Sequence, residues 1–441
     1  MRRPLSIRRI PLIGSVRSNQ LFLVRNIIFF VLILDTSTTI GQWTQWGGAF
    51  RNFQADPVNL KLDWPKEGPK EIWSRALGDG YSAISVSDGK LYTSYRRGDN
   101  EVVTAIDSRS GKTIWEYAYA APVWDGFEGF QDKYGPGPIA TPLIKDNFVY
   151  AIGALTDLVC LGKNTGKKIW AHNLWKEFNS PPAKRGYASS PLFYKNTVIV
   201  LTVAKGRGAM AFDLKTGAVV WEGSDFKNRF SSPIIANVDG QDQLIMFVAE
   251  YLAGLDPNNG DLLWKYPHAT QWNVHAMTPL WGDDNILFVS SSYDAGGRAL
   301  RLRQQDGKTN VEELWFNTKV RVQHANAVRR GPFILTSSGD FGPGLINMIE
   351  AVTGELIVQK RGFAKSNLII SGDNLIVLDE NGKLGIAVVR NDGLEIKCKA
   401  TVFSGTAWTV PTLVGANLYL RDRKVIKALD LSAESMIGGQ H

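Results

Sequence analysis

The sequence predicts an all-β chain, a single eight-bladed β-propeller of four-stranded antiparallel blades over residues 42–441. Three observations predict it. A turn-plus-tryptophan element recurs with a period near 48 residues, and a small-polar strand ending in proline recurs in phase with it. The two ends of the chain hold the parts of one further blade between them. Self-similarity at such a period marks arrays whose units bury their apolar faces only against one another.

The recurring element is clearest as Asp213-Leu-Lys-Thr-Gly-Ala-Val-Val-Trp221. Thr216 and Gly217 make the turn, because glycine takes positive φ without steric cost and the aspartate can bond its own backbone. The apolar run after it is a strand ending on a tryptophan with a large area to bury. Further copies run from Asp107 to Trp115 and from Asp256 to Trp264, and worn copies end at Trp170, Trp315 and Val358. The turn glycines are Gly111, Gly166, Gly217, Gly260, Gly307 and Gly354.

In chain order, residues 1–41 read as a signal peptide: six arginines, an apolar run from Ile27 to Leu34, then small and polar residues to Gly41. Eight apolar residues are too few to span a bilayer and fit a secretory core, with an uncleaved N-terminal anchor as the alternative. Beyond the leader, the small-polar strands lie at 139–142 (IATP), 188–191 (ASSP), 231–233 (SSP), 276–279 (AMTP) and 409–411 (TVP). Each is followed by a β-branched run, a glycine-rich corner, a third short strand and the turn–tryptophan strand. Four short strands joined by turn signals describe one antiparallel blade. Fourth strands fall at Trp73, Trp115, Trp170, Trp221, Trp264, Trp315, Val358 and Cys398, which makes eight. Trp73 lacks three strands before it, and 406–431 holds three strands without a fourth. The strand at Trp73 therefore completes the last blade, and closure of this kind removes exposed sheet edges.

An apolar content of 44% with 43 glycines excludes a disordered chain and fits a β-rich one with many tight turns. Of the net charge of +8, about +3 belongs to residues 42–441, too little for a nucleic-acid footprint. Cys160 and Cys398 fall in blades two and seven, beyond the reach of a disulfide, and read as small buried residues. The leader implies a periplasmic or secreted protein with no transmembrane span in the mature chain, expected to be a monomer.

The Asp-x-x-Thr-Gly-x-x-x-Trp elements, the Ser-Ser-Pro strands and the opening Trp43-Thr-Gln-Trp-Gly-Gly-Ala-Phe-Arg-Asn52 together resemble the PQQ-like β-propeller repeat family. That family includes quinoprotein alcohol dehydrogenases and the outer-membrane assembly lipoprotein BamB, and the likeness covers nearly all of the mature chain. It implies the fold, with each fourth-strand tryptophan docking blade against blade. It is nearly silent on chemistry, because one fold hosts many functions. The family's dehydrogenases hold their quinone over a Ca²⁺ or lanthanide on clustered carboxylates and amides, beneath a disulfide of adjacent cysteines. This chain has no adjacent cysteines, no Cys-x-x-Cys-His haem motif and no recognisable metal-ligand set, so the sequence argues against PQQ with Ca²⁺ and leaves the cofactor unknown.

Loops carry function, and the longer ones (120–136 and 174–185) join a fourth strand to the next blade's first. They share a face with the corners between second and third strands. Four residues before the proline landmark stand Pro138, Tyr187, Arg229, His275 and Ala407, with His324 in the same register. Corners on that face carry Glu250, Asp294 and Asp340. Two imidazoles beside carboxylates could bind a metal, relay protons or clamp an anion with Arg229, or could be hydrogen-bonded spacers in a polar channel mouth. Trp124, Phe127, Phe130 and Tyr134 could form an aromatic lip for a sugar or peptide, or pack their own loop. The expectation is a non-catalytic binding or scaffold module with a protein or polymer partner on this face. The alternative is a quinoprotein-like oxidoreductase or small-ligand binder at the mouth.

Overall fold

Almost every turn glycine of the repeat sits beneath an indole from the preceding blade. In the computed structural model, which describes residues 42–433 except 128, 228–229, 294 and 340–342, the strands form eight sheets. Residues 1–41, expected from the sequence to be a signal peptide, lie outside the described residues. Seven blades follow the chain at 85–120, 143–173, 192–223, 234–267, 280–317, 327–360 and 366–401. The eighth combines three strands over 412–430 with the strand Lys70–Ala76, which pairs antiparallel with Val425–Asp430 and places Trp73 opposite Ala428. The ring is closed at Trp73 as the strand count requires.

Gly217 shows why the repeat needs glycine twice over. Its φ is +73°, and a Cβ built there would lie 2.7 Å from the ring of Trp170. The Trp170 Nε1–H donates to the Leu214 carbonyl at 3.1 Å, three residues before that glycine. Trp73, Trp115, Trp221 and Trp315 make the same bond to Ser108, Lys163, Pro257 and Ala351 of the following blade, at 2.8–3.1 Å. Each indole thus buries its area and satisfies its single donor on the next blade's turn.

Trp264 departs from the expected docking. Its Nε1–H donates to Gln243 Oε1 within its own blade, and Gln243 Nε2 passes the link to Thr309 of blade five. The reason is the turn opposite. Blade five has the tight hairpin Asp306–Gly307 in place of the longer Thr-Gly turn, so nothing lies within 4 Å of a Cβ built at Gly307.

Near the axis the Ser-Ser-Pro strands stitch blade to blade. Ser85 Oγ donates to the Pro142 carbonyl, Ser190 Oγ accepts from Thr141 N, Ser232 Oγ accepts from Ser190 N, and Ser231 Oγ donates to the Met277 carbonyl. Asn326 brackets Leu368 of the next blade through both its amide atoms, and Thr412 Oγ1 reaches the Ile84 carbonyl across the closure. Small side chains are used because inner strands converge there, leaving room for a hydroxyl but little more.

The opening motif does something its sequence does not announce: residues 43–55 line the channel from inside. Trp43 bridges Val86 of blade one, and the Thr44 carbonyl accepts from Ile144 N of blade two. Trp46 Nε1 donates to Thr278 of blade five, and Gln54 Nε2 to the Arg329 carbonyl of blade six. Gln54–Ala55 adds a parallel fifth strand to the inner edge of blade seven. Arg51 is 3% exposed and donates to the carbonyls of Ser190 and Pro191 in blade three, while burial pushes its pKa down to about 9. One segment therefore ties six blades together before the chain closes the eighth.

Among the described residues helix is confined to single turns, as at Leu174–Phe178, and no helix is long and apolar enough to cross a membrane. Cys160 and Cys398 are buried free thiols.

The docking contact is separable from the backbone requirement. Gly217 and Gly307 share φ of +73°, so alanine at either costs about 1–2 kcal/mol for the left-handed backbone. Gly217→Ala must in addition displace the Trp170 ring and is expected to cost about 1–3 kcal/mol more, read as a lower denaturation midpoint. Equal midpoints for Gly217→Ala and Gly307→Ala would show that the indole contact contributes nothing.

Candidate functional site

Antiparallel pairing puts the entries of all first strands on the same face as the corners between second and third strands, and that face carries both long loops. Arg96, 5% exposed in blade one, ties down both ends of the first loop. It donates to the carbonyls of Ala121 and Pro136 and pairs with buried Glu101 at 3.2 Å. Glu101 in turn accepts from Tyr119 and from Ala154 N of blade two. Trp124 meets Trp175 edge-on with centroids 5.2 Å apart, joining the two loops.

The sequence-derived candidates do not form one site. Tyr187 is buried, and its hydroxyl donates to the Leu201 carbonyl at 2.8 Å. His275 is fully buried and stacks on Phe247 at 4.0 Å. The Ala249 carbonyl lies 3.0 Å from its Nε2 and the Ser291 hydroxyl 2.6 Å from its Nδ1. A carbonyl only accepts, so Nε2 carries the proton and Nδ1 accepts from Ser291. Both nitrogens are spent. Glu250 is exposed on its corner, where its carbonyl accepts from His268 N. Arg229, Asp294 and Asp340 lie outside the described residues. Of the aromatic lip, the side chains of Phe127 and Phe130 are likewise outside them.

His324 alone stands at a cluster. Its ring lies 5.0 Å from Trp408, which also packs against Tyr81 at 5.4 Å and Tyr134 at 5.3 Å. Trp408 Nε1 donates to Glu380 Oε2 at 3.1 Å, and the same oxygen lies 3.9 Å from both His324 Nε2 and Lys365 Nζ. Lys365 also donates to Gln323 Oε1, whose amide nitrogen donates to Tyr293. Beside the cluster, Arg423 grips Asp79 with two nitrogens on two oxygens. Behind it, fully buried Arg421 donates to the carbonyls of Ser94, Gly78 and Ser82, fastening blade eight to blade one. Burial pushes Arg421 down to about 10 and, at the rim, raises Tyr81 to about 12. Burial likewise lowers His324 to about 3, aided by Lys365 and Arg185, so the imidazole is neutral at neutral pH.

Trp408, Glu380, Lys365 and Tyr81 were not among the sequence-derived candidates, yet two follow from the same register. Trp408 is adjacent to Ala407, and Glu380 follows the second strand of blade seven as Glu250 nears the equivalent corner of blade four.

Comparison with known proteins now bears on the whole arrangement. Residues 98–331 match the family model described as "Outer membrane protein assembly factor BamB". Quinoprotein alcohol dehydrogenase PedH of Pseudomonas putida is 30% identical over 156 residues, a third of this chain and only a quarter of that enzyme's length. BamB from Moraxella catarrhalis superposes with a TM-score of 0.59 at 18% identity, over 84% of this chain and 99% of its own. Quinohemoprotein alcohol dehydrogenase from Comamonas testosteroni gives 0.64 at 12% identity, over 91% of this chain and 82% of its own.

A quinone held over a cation needs converging carboxylates, and the resemblance drawn from the sequence implies paired cysteines as well. Among the described residues no group of three or more His, Cys, Asp or Glu could hold a metal. The two cysteines lie in blades two and seven, with burial raising Cys160 to about 12. Three rings already crowd the indole of Trp408. The described residues do not fit that group.

The buried imidazoles predict an acid-sensitive fold. Burial holds His275 down to about 4 and His268 down to about 2. The unfolded chain therefore binds more protons below pH ~6.5, and stability falls as pH falls towards the folded values. Each such imidazole removes about 2 kcal/mol between pH 7 and pH 5. His275→Gln, which can still accept from Ser291 and donate to Ala249, is expected to melt lower at pH 7 but to lose less Tm on acidification. Parallel Tm-against-pH curves for the two proteins would contradict this.

Proposed function

Because the chain belongs to the family described as outer membrane protein assembly factor BamB, we propose that it is an exported, non-catalytic propeller that binds a protein or polymer partner through its loop-rich face. The observation that carries the reading is the channel filling by residues 43–55. The chain uses its own motif to consolidate the inner wall, and the loop-rich rim carries partly exposed aromatic and charged groups. Trp272, 55% exposed and edge-on to Tyr293 at 4.7 Å, extends that rim beyond the Trp408 cluster. Broad aromatic surface with a charged rim is the composition by which partner sites stand out from ordinary surface. The leader supports export, and the mature propeller acts as a monomer.

The partial likeness to a quinoprotein alcohol dehydrogenase supports a second reading, an oxidoreductase or small-ligand binder at the mouth. The two readings separate experimentally. Mature protein incubated with PQQ and Ca²⁺ and then desalted is expected to retain no quinone and to reduce no dye with alcohols. Stoichiometric retention with alcohol-dependent dye reduction would overturn the non-catalytic reading. Under the preferred reading, the immobilised protein captures a defined component from an envelope extract of its host, and Trp272→Arg reduces that capture at least about ten-fold, the loss of a central aromatic anchor. Capture unaffected by Trp272→Arg would move the partner off this face.

A further inference from the structure

We propose that Phe50, at the tip of a U-turn inside the ring, is the anchor for an apolar side chain that a partner protein inserts through the channel mouth. This rests on the reading of the protein as a partner-binding propeller, and names the contact by which the partner is held. First strands run from the loop-rich face towards the opposite, turn-bearing face. Trp43 pairs antiparallel with Val86, whereas Gln54–Ala55 pairs parallel with Ile370–Ser371. The segment therefore climbs from the turn-bearing face, reverses, and descends again. The levels of its contacts agree. Thr44 meets Ile144, which follows its blade's proline, whereas Trp46 and Arg51 reach Thr278 and Ser190, which precede theirs. The tip at 47–51 thus points towards the mouth. Phe50 stands on it 82% exposed, more than any other large apolar side chain among the described residues.

Single exposed apolar groups are ordinary on outer strands, but Phe50 stands inside the ring on a turn built to hold it there. Gly48 N donates to the Gln45 carbonyl, Arg51 N to that of Gly48 and Phe53 N to that of Gly47. Gly47, Gly48, Arg51 and Phe53 all hold positive φ. Left-handed backbone at a non-glycine residue persists only where the surroundings impose it, and such strain gathers at functional positions. Trp43, Gln45, Arg51 and Phe53 are buried around the turn, while Phe50 stays in solvent. A rigidly held aromatic ring in a concave place takes up an apolar group at little ordering cost. The polar neighbours are engaged, since Gln45 donates to the Ala49 carbonyl and Arg51 to blade three. A small polar ligand would lack the convergent hydrogen bonds that orient it. Gln42 precedes the climb, and Ala433 N bonds the Asn59 carbonyl, so both lie on the turn-bearing side of the segment. The apolar group therefore comes from another chain, on a loop or chain end slender enough to enter the ring.

The test places the photo-crosslinker p-benzoylphenylalanine at position 50 of the full mature chain, irradiates it in an envelope extract of its host, and sequences the crosslinked peptides. The label is expected on an apolar residue of one partner protein. A synthetic peptide spanning that residue should then bind the parent chain in calorimetry with a Kd below about 1 mM. Phe50→Ala and Phe50→Glu should each weaken the peptide at least about ten-fold, or 1.4 kcal/mol, with Tm unchanged because the ring is exposed. Val220→Thr, on the outer strand of blade three, should change neither. The proposal is overturned if the label falls only on the chain itself or on polar residues, or if both Phe50 variants bind the peptide as tightly as the parent. Attachment to a non-peptide molecule would make the occupant a small apolar ligand and likewise overturn it. A partner lost on Trp272→Arg but retained in full by Phe50→Glu would overturn the anchor while leaving the partner-binding reading intact.

Discussion

The contact between a tryptophan on one blade's outer strand and the turn glycine of the next decides how this ring is built. It fixes three things at once: the backbone conformation of the turn, the absence of a side chain there, and the carbonyl that receives the indole N–H. Removing any one would leave a large ring without area to bury or a donor without a partner. Where blade five replaces the turn with a tighter hairpin, Trp264 donates to Gln243 of its own blade and Gln243 takes over the link to Thr309. The exception supports the rule, since the contact is rerouted when its acceptor disappears.

A ring held only by neighbour contacts could still open at its seam. The N-terminal segment deals with that weakness twice. Residues 43–55 engage six blades from within the channel, and Lys70–Ala76 then supplies the missing outer strand of blade eight. Arg421 and the Arg423–Asp79 pair brace the same seam from the loop-rich side. Buried charge of this kind is costly unless fully bonded. Arg421 meets that condition with carbonyls and the Thr93 hydroxyl, and its position fixes the entrance of blade one on which Tyr81 stands. The architecture of closure therefore also shapes the mouth.

The fold was legible in the sequence because its chief interaction repeats: Gly217, Trp221 and their counterparts recur at a spacing that counts blades, and the unmatched strand at Trp73 points to the seam. The site was less legible because nothing repeats there. Register placed His275 and His324 at equivalent strand entries, but burial depth depends on neighbours that register does not describe. Phe247, Ala249 and Ser291 enclose His275, whereas His324 meets Trp408 and Glu380. Trp408 was hidden by the same method, since the landmark falls on Ala407 beside it. The channel role of residues 43–55 could not be read at all, because on five of the six blades its partners are backbone carbonyls and amides, which leave no mark in side-chain sequence.

Under the proposed function, residues 43–55 are a permanent part of the inner wall and a partner is met through the loop-rich face. Amide hydrogen exchange on the intact protein tests it most directly. Val86, Ile144 and Ile370 donate their N–H groups to Trp43, Thr44 and Phe53 of that segment. If the segment is a permanent part of the ring, these three amides exchange as slowly as the core strand amides around them, because they open only with the blades. If they exchange on the timescale of exposed loops while the core strands remain protected, the segment leaves the channel in the native state and the account is wrong.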